Sequence, residues 1–217
     1  MNFVVLGVGF PDIIQTIRDI KHKNEDFNFL GFLDDNKKLH GIDIFGYPVL
    51  GSLDWLKKNP NVKIFNTIAK NLSVKEEINF NQKQNGFSFI NLIHPNVNTD
   101  LSTLGDEGIL LSKNVYLEAK SQISSHCMIL QGSSVGHDTS IGENSFIAPN
   151  CNLLGGVKIG KNCLIGAGTT IYPGIKIDDN CITGINSIIM SNMKEFETVS
   201  SPPSRKIFSS NKTSSKK

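Results

Sequence analysis

A six-residue period dominates the second half of the chain. From Leu111, every sixth residue reads Leu111, Leu117, Ile123, Ile129, Val135, Ile141, Ile147, Leu153, Ile159, Ile165, Ile171, Ile177, Thr183 and Ile189, thirteen of fourteen being aliphatic. Four residues after each of the first thirteen stands a small or β-branched residue, among them Ser121, Cys127, Ser133, Thr139 and Cys151. A period of six matches neither the 3.6 residues of an α-helix nor the two-residue alternation of a single strand. It matches a solenoid whose short strands each turn one aliphatic and one small side chain inward.

A longer period overlies the short one. Ile141-Gly-Glu-Asn144, Ile159-Gly-Lys-Asn162 and Ile177-Asp-Asp-Asn180 recur every eighteen residues, so three segments complete one turn of a three-sided coil. Gly, Asn and Asp suit the corners because they tolerate unusual backbone angles. The period therefore predicts a triangular parallel β-helix. All four cysteines, Cys127, Cys151, Cys163 and Cys181, fall at the small inward position, with no CxxC pair. They read as compact core residues with reduced thiols, not as a metal or disulfide framework.

Residues 1–92 are of another kind. Phe3–Leu6 reads as a buried strand, followed by Gly7-Val-Gly9-Phe-Pro-Asp12 and a helical pattern from Asp12 to about Lys23. Strands are expected over Phe27–Phe32, Val62–Ile68 and Phe87–Ile93, with helices over Leu53–Lys58 and Ser73–Asn85. Strands alternating with helices imply a small parallel, Rossmann-like α/β sheet. Such sheets hold nucleotides at the turn after the first strand and at acids ending the second, here Gly7, Gly9, Asp34 and Asp35. Gly7-Val-Gly9 lacks the third glycine of a dinucleotide fingerprint, so a plain tight turn is the competing reading. His94, before Pro95 at the junction, reads as a turn residue.

Charge excludes some partners. The chain carries 22 basic and 20 acidic groups, but Arg205, Lys206, Lys212, Lys216 and Lys217 lie in a terminal stretch without acid. Setting those five aside leaves 17 basic against 20 acidic, which disfavours a nucleic-acid partner for the body. No run approaches eighteen apolar residues and no charged n-region precedes the first one, so neither a membrane span nor export is expected. The expected division is an α/β domain at 1–92, a β-helix at 93–200, and a cap with a basic tail at 201–217.

The segment Ser134-Val-Gly-His-Asp-Thr-Ser-Ile-Gly-Glu-Asn-Ser-Phe-Ile-Ala-Pro149, with Gly155–Gly168 and Phe32-Leu-Asp-Asp35, resembles the bacterial hexapeptide-repeat acyltransferases of the sialic-acid O-acetyltransferase and nucleotide-amino-sugar N-acetyltransferase type. The resemblance runs from Gly7 to about Arg205. It implies a left-handed β-helix assembled as a homotrimer in the cytoplasm, with acetyl-CoA as cosubstrate, no metal, and a nucleotide-sugar acceptor between the two domains. It further implies N-acetylation of a nucleotide-linked amino sugar, such as a 4-amino-4,6-dideoxy sugar, in surface glycan biosynthesis. By the same resemblance His137 is the general base and Asp138 its partner, and Gly155 offers its N–H to the oxyanion. Phe146, Ala167 and Ile185 fall at acetyl-CoA positions, and Gly7, Gly9, Asp34 and Asp35 at the nucleotide sugar.

The residues alone support part of that list. In the eighteen-residue frame the equivalents of His137 are Gly155 and Pro173, so it occupies an outward corner. An imidazole there can take the proton an amine or hydroxyl loses on attacking a thioester, and an adjacent acid can orient it. The chain also departs from the family's pattern. Phe146 replaces a histidine found in some members, Phe10-Pro11-Asp12 ends the first turn differently, and the terminal cap reads Val199-Ser-Ser-Pro-Pro-Ser-Arg205. Alternatives are a sugar O-acetyltransferase of the sialic-acid type and a non-catalytic trimer that binds a nucleotide sugar. A zinc-dependent carbonic anhydrase would need three converging histidines, and the coils hold His126 and His137 alone.

Overall fold

The computed structural model describes residues 1–10 and 13–201. Pro11, Asp12 and almost all of the expected cap and tail lie outside them. From Leu92 to Val199 the chain winds through three parallel sheets of five, seven and five two-residue strands, stacked as a left-handed β-helix. Pairing is parallel with a register of eighteen: Gln122 with Ser140, Met128 with Phe146, Ser134 with Asn152. We call the faces containing Ile141, Ile147 and Val135 the first, second and third. All fourteen residues of the six-residue series are buried, and so are the thirteen small partners. The four cysteines are free thiols inside this stack, each with Sγ directed at a backbone carbonyl.

The corners explain the eighteen-residue motif. His126, Asn144, Asn162 and Asn180 share one column of left-handed backbone, with φ between 55 and 62°. Asn114, Gly132, Asn150, Gly168 and Asn186 form a second such column, and Lys120, Asp138, Gly156 and Gly174 a third. Asn, Asp and Gly, which accept positive φ at little cost, fill these corners except at Lys120 and His126.

The N-terminal domain is a five-stranded sheet of order β3-β4-β2-β1-β5, from β1 (Asn2–Leu6), β2 (Asn28–Leu33), β3 (Asp43–Ile44), β4 (Tyr47–Gly51) and β5 (Lys63–Asn66). All pairs are parallel except the β3–β4 hairpin, which the sequence reading omitted. Two helices flank it, α1 (Ile13–Lys21) and α2 (Leu72–Gln84). Leu53–Lys58, expected as a short helix, is a 3₁₀ turn capped by Ser52. The expected last strand, Phe87–Ile93, is divided. Phe89 makes a single bridge to Ile64, whereas Leu92–Ile93 pairs with Leu110–Leu111 and so founds the second face of the coil.

The domains share a core. One side of the sheet presents Phe3, Val5, Phe29, Phe32 and Phe65, which join Ile13, Ile14 and Ile17 of α1. The same cluster continues into Leu110, Met128 and Phe146, outward residues of the second face. Burying such side chains contributes roughly 1.5–3 kcal/mol each, so the outward apolar residues here serve docking. Two polar seams flank this contact. His94 and Asp19 of α1 meet at 2.8 Å, which makes His94 a link between domains rather than a plain turn residue. Along α2, Asn144 Nδ2 donates to the Leu72 carbonyl and Asn162 Nδ2 to Glu76. Lys75 is wholly enclosed there and donates to the His126 carbonyl at 2.5 Å. Among the described residues no helix is long and apolar enough to cross a membrane.

Lys75 gives a test of this seam. Burial holds its ammonium down at a pKa of about 8, below the 10.5 of an exposed lysine. The unfolded chain therefore binds more protons between those values, and the penalty, full at pH 7, fades as pH rises through them. Urea unfolding of Lys75→Met is expected to show an advantage over wild type that shrinks from pH 7 to pH 10. A pH-independent difference would contradict the buried charge.

Candidate active site

His137 and Asp138 stand at the corner between the third and first faces. Adjacent side chains normally diverge, but Asp138 has φ +56°, and this left-handed turn brings its carboxylate back to the imidazole. His137 Nδ1 lies 2.8 Å from Asp138 Oδ2. A carboxylate only accepts, so Nδ1 carries a proton, and in the neutral imidazole the lone pair is then on Nε2. That bond holds the Asp138 carboxyl below the usual carboxylate range. Neighbouring rungs fix the pair: the His137 N–H donates to Glu118 Oε2 at 2.8 Å, and the His137 carbonyl accepts from Gly156. Both side chains are more than half exposed, at 64% and 55%.

Gly155 lies one coil further on, directly beneath the ring. A Cβ there would meet His137 Nε2 and stand 2.7 Å from Cε1. Gly155 has no positive φ, so what an added Cβ would contest here is the position of the ring, not the backbone conformation. Among the described residues its N–H donates no hydrogen bond. The imidazole edge and the backbone of Gly155 thus lie side by side at an exposed corner. The groove beside them, about 420 Å³, is lined by Leu101, Tyr116, Glu118 and His137. Glu118 was not singled out from sequence, since nothing local distinguishes it. Only the coil register brings it to the residue nineteen positions later.

The other expected residues lie elsewhere. Ala167 and Ile185 share the corner between the second and third faces, Ala167 partly covered and Ile185 70% exposed. Phe146 points outward from the second face but is buried with Met128 and Ala148 against the α/β domain. Within one chain, therefore, none of these three shares the His137 corner. Gly7, at φ +83°, follows β1 and donates to the Leu33 carbonyl, while Gly9 has open space around it. Asp34 accepts the Val8 N–H through one oxygen and the Asn36 N–H through the other. Asp35 accepts from Leu53 at 3.3 Å and is exposed. A crevice of about 500 Å³ opens between the domains instead beside Phe10, Arg18, Phe45 and Lys113. Among the described residues no three His, Cys, Asp or Glu side chains cluster as metal ligands.

Residues 120–155, 138–173 and 156–191 each match the family described as bacterial transferase hexapeptide (six repeats). The whole architecture recurs in solved structures. PerB from Caulobacter crescentus, in complex with CoA and GDP-perosamine, superposes with a TM-score of 0.81 at 23% identity, over 93% of this chain and 94% of that one. A His-to-Asn variant of perosamine N-acetyltransferase from Caulobacter crescentus, in complex with the same two molecules, gives 0.79 at 22% identity over 91% of each chain. The acetyltransferase domain of PglB from Neisseria gonorrhoeae FA1090 gives 0.78 at 20% identity, over 94% of this chain and 98% of that one. These likenesses establish the two-domain fold.

The contact between Gly155 and the imidazole is open to a double-mutant cycle. Gly155→Ala is expected to displace the ring and cut any activity at this corner by a hundredfold or more. Folding stability should change little, because only a mobile side chain obstructs the new methyl. In a His137→Ala background the same change is expected to have no further effect. Equal losses in both backgrounds would show that Gly155 acts independently of the ring.

Proposed function

We propose that this chain, whose residues 120–191 match the bacterial transferase hexapeptide family, moves an acetyl group from acetyl-CoA directly to the amino group of a nucleotide-linked sugar, with His137 as base. The observation that carries this reading is the His137–Asp138–Gly155 corner. Nε2 accepts the proton of the attacking amine, and Asp138 orients and stabilises the imidazolium that results. The free N–H of Gly155, beside Nε2, suits the oxygen that becomes negative as the thioester carbonyl is attacked. Collapse of that intermediate releases the CoA thiolate, which takes up the proton held by the imidazolium.

Two further observations support direct transfer over an acyl-enzyme. Burial pushes the Cys127 thiol to about 11 and the Cys163 thiol to about 12, so neither supplies a thiolate at neutral pH. Among the described residues no Ser hydroxyl or Cys thiol hydrogen-bonds His137. Known proteins of the same fold support the substrate class proposed. PerB was crystallised with CoA and GDP-perosamine, and the second of these neighbours is named an N-acetyltransferase.

The corners also favour a shared site. The base stands at the third–first corner, and the acetyl-CoA positions Ala167 and Ile185 stand at the second–third corner. The remaining corner is closed by α2 through Asn144 and Asn162. Base and donor meet if the two open corners of neighbouring copies face each other, as in a cyclic homotrimer. Exposed Leu101, Tyr116 and Ile188, on and beside the third face, would gain cover in that assembly.

A thiol-release assay with acetyl-CoA, run over nucleotide-linked amino sugars and free sialic acids, tests the reading. His137→Ala is expected to lower kcat by about 10²–10⁴-fold with the Michaelis constant for acetyl-CoA little changed. Asp138→Asn should cost less, because Asn suits the left-handed turn and can still accept from Nδ1. Near-normal turnover by His137→Ala would refute the base, and turnover with sialic acids alone would transfer the acceptor role to a hydroxyl.

A further inference from the structure

Glu118 carries a charge where the rest of its column has none. One coil apart, the positions that follow it are Gly136, Leu154, Tyr172 and Met190. Its Oε2 accepts the His137 N–H at 2.8 Å. The fold does not require that bond. In the column of His137, the Ala119 and Gly155 N–H groups donate no hydrogen bond among the described residues, and Pro173 has no N–H. This corner is open to water, so a backbone N–H here is satisfied without a protein partner. A carboxylate anchored on the His137 backbone points to a use outside the fold.

Glu118 and His137 line the same groove of about 420 Å³, with Leu101 and Tyr116 as its larger apolar walls. Among the described residues Glu118 has no ion-pair partner, and its Oε1 accepts no hydrogen bond. One oxygen is therefore fixed and the other is open. A second groove across the corner holds Asp100, Lys120 and Asp138. The charges about the corner are thus the carboxylates of Glu118, Asp100 and Asp138 against the ammonium of Lys120, with the imidazole neutral. Such a surface draws a cation and repels an anion. An amino sugar enters as an ammonium below the pKa of its amine, whereas a free sialic acid brings a carboxylate.

We infer that Glu118 selects the acceptor: its Oε1 receives the ammonium of the amino sugar in this groove, while Oε2 holds the His137 backbone. This rests on the acceptor class proposed above and names the residue that chooses it. The bound ammonium releases one proton to solvent and becomes the amine that attacks. A second proton passes to Nε2 and then to the CoA thiolate, so the products are the amide, the CoA thiol and one free proton. A hydrogen bond between two charged groups is among the stronger kinds. Cover by a neighbouring copy would exclude water from the groove and strengthen it further. Glu118 is then a specificity and positioning residue, distinct from the base.

Initial rates of thiol release separate its charge from its position. The acceptor is a nucleotide-linked 4-amino-4,6-dideoxy sugar, and the same compound with a hydroxyl in place of the amine serves as inhibitor. Glu118→Gln keeps an oxygen for the His137 N–H and removes the charge. It is expected to raise the Michaelis constant for the amino sugar about tenfold and to lower kcat far less. The constants for acetyl-CoA and for the hydroxyl inhibitor should not change. The tenfold gap should close at high salt and as pH climbs past the pKa of the sugar amine, because a neutral amine gains little from the charge. Glu118→Ala also loses the oxygen, so its kcat is expected to fall as well. An amino-sugar constant unchanged in Glu118→Gln, or raised alike for amine and hydroxyl at every pH, would overturn the assignment. With amine transfer by wild type intact, that result removes the role of Glu118 alone. Wild type that transfers to no amino sugar removes the proposed function and the role of Glu118 with it.

Discussion

Parallel pairing of each two-residue strand with the strand eighteen residues on is the constraint from which the rest of this molecule follows. It stacks Leu111, Ile129, Ile147 and Ile165 in one file and Ser133, Cys151 and Thr169 in another, all sealed from water. Removing a large member of such a file leaves a cavity that neighbours above and below cannot fill without breaking their own pairing. The same register forces a bend at every sixth residue, and the bends select Asn, Gly and Asp. Inward positions are therefore nearly fixed in type, and variation is left to outward and corner positions.

The proposed chemistry lies where those outward positions depart from the pattern. The column of Ala119, His137, Gly155 and Pro173 holds one imidazole among residues with small or closed side chains. The coil supplies what that imidazole needs: a left-handed Asp138 beside it, Glu118 on its amide, and a bare Gly155 beneath its ring. The three corners are likewise divided. One is closed by α2, one carries His137, and one carries the crevice and the expected donor positions. Docking of the α/β domain on the second face through Met128 and Phe146 creates both the closure and the crevice.

The coil was legible because its period is long and unbroken, so even the corner residues and the inward cysteines could be placed from sequence. His137 was legible for the same reason, since the frame itself shows it facing out. Contacts between distant segments were not. Nothing local marks Lys75 as buried, and its enclosure depends on α2 lying over the His126 column. Nor does anything local pair His94 with Asp19 or carry Arg18 to Phe45. The β3–β4 hairpin escaped notice because its turn reads Phe-Gly in place of Asn-Gly. Leu92–Ile93 looked like one more strand of the α/β sheet because strand character does not reveal which sheet it joins.

The central claim is that base and donor positions belong to different copies of the chain. It is tested most directly by mixing two inactive proteins, one carrying His137→Ala and the other Ile185→Glu, after dissociation and reassembly. A shared site predicts that activity returns to about a quarter of wild type in a random one-to-one mixture, because that fraction of interfaces pairs two intact corners. A mixture as inactive as its two parents would show that each chain performs the reaction alone.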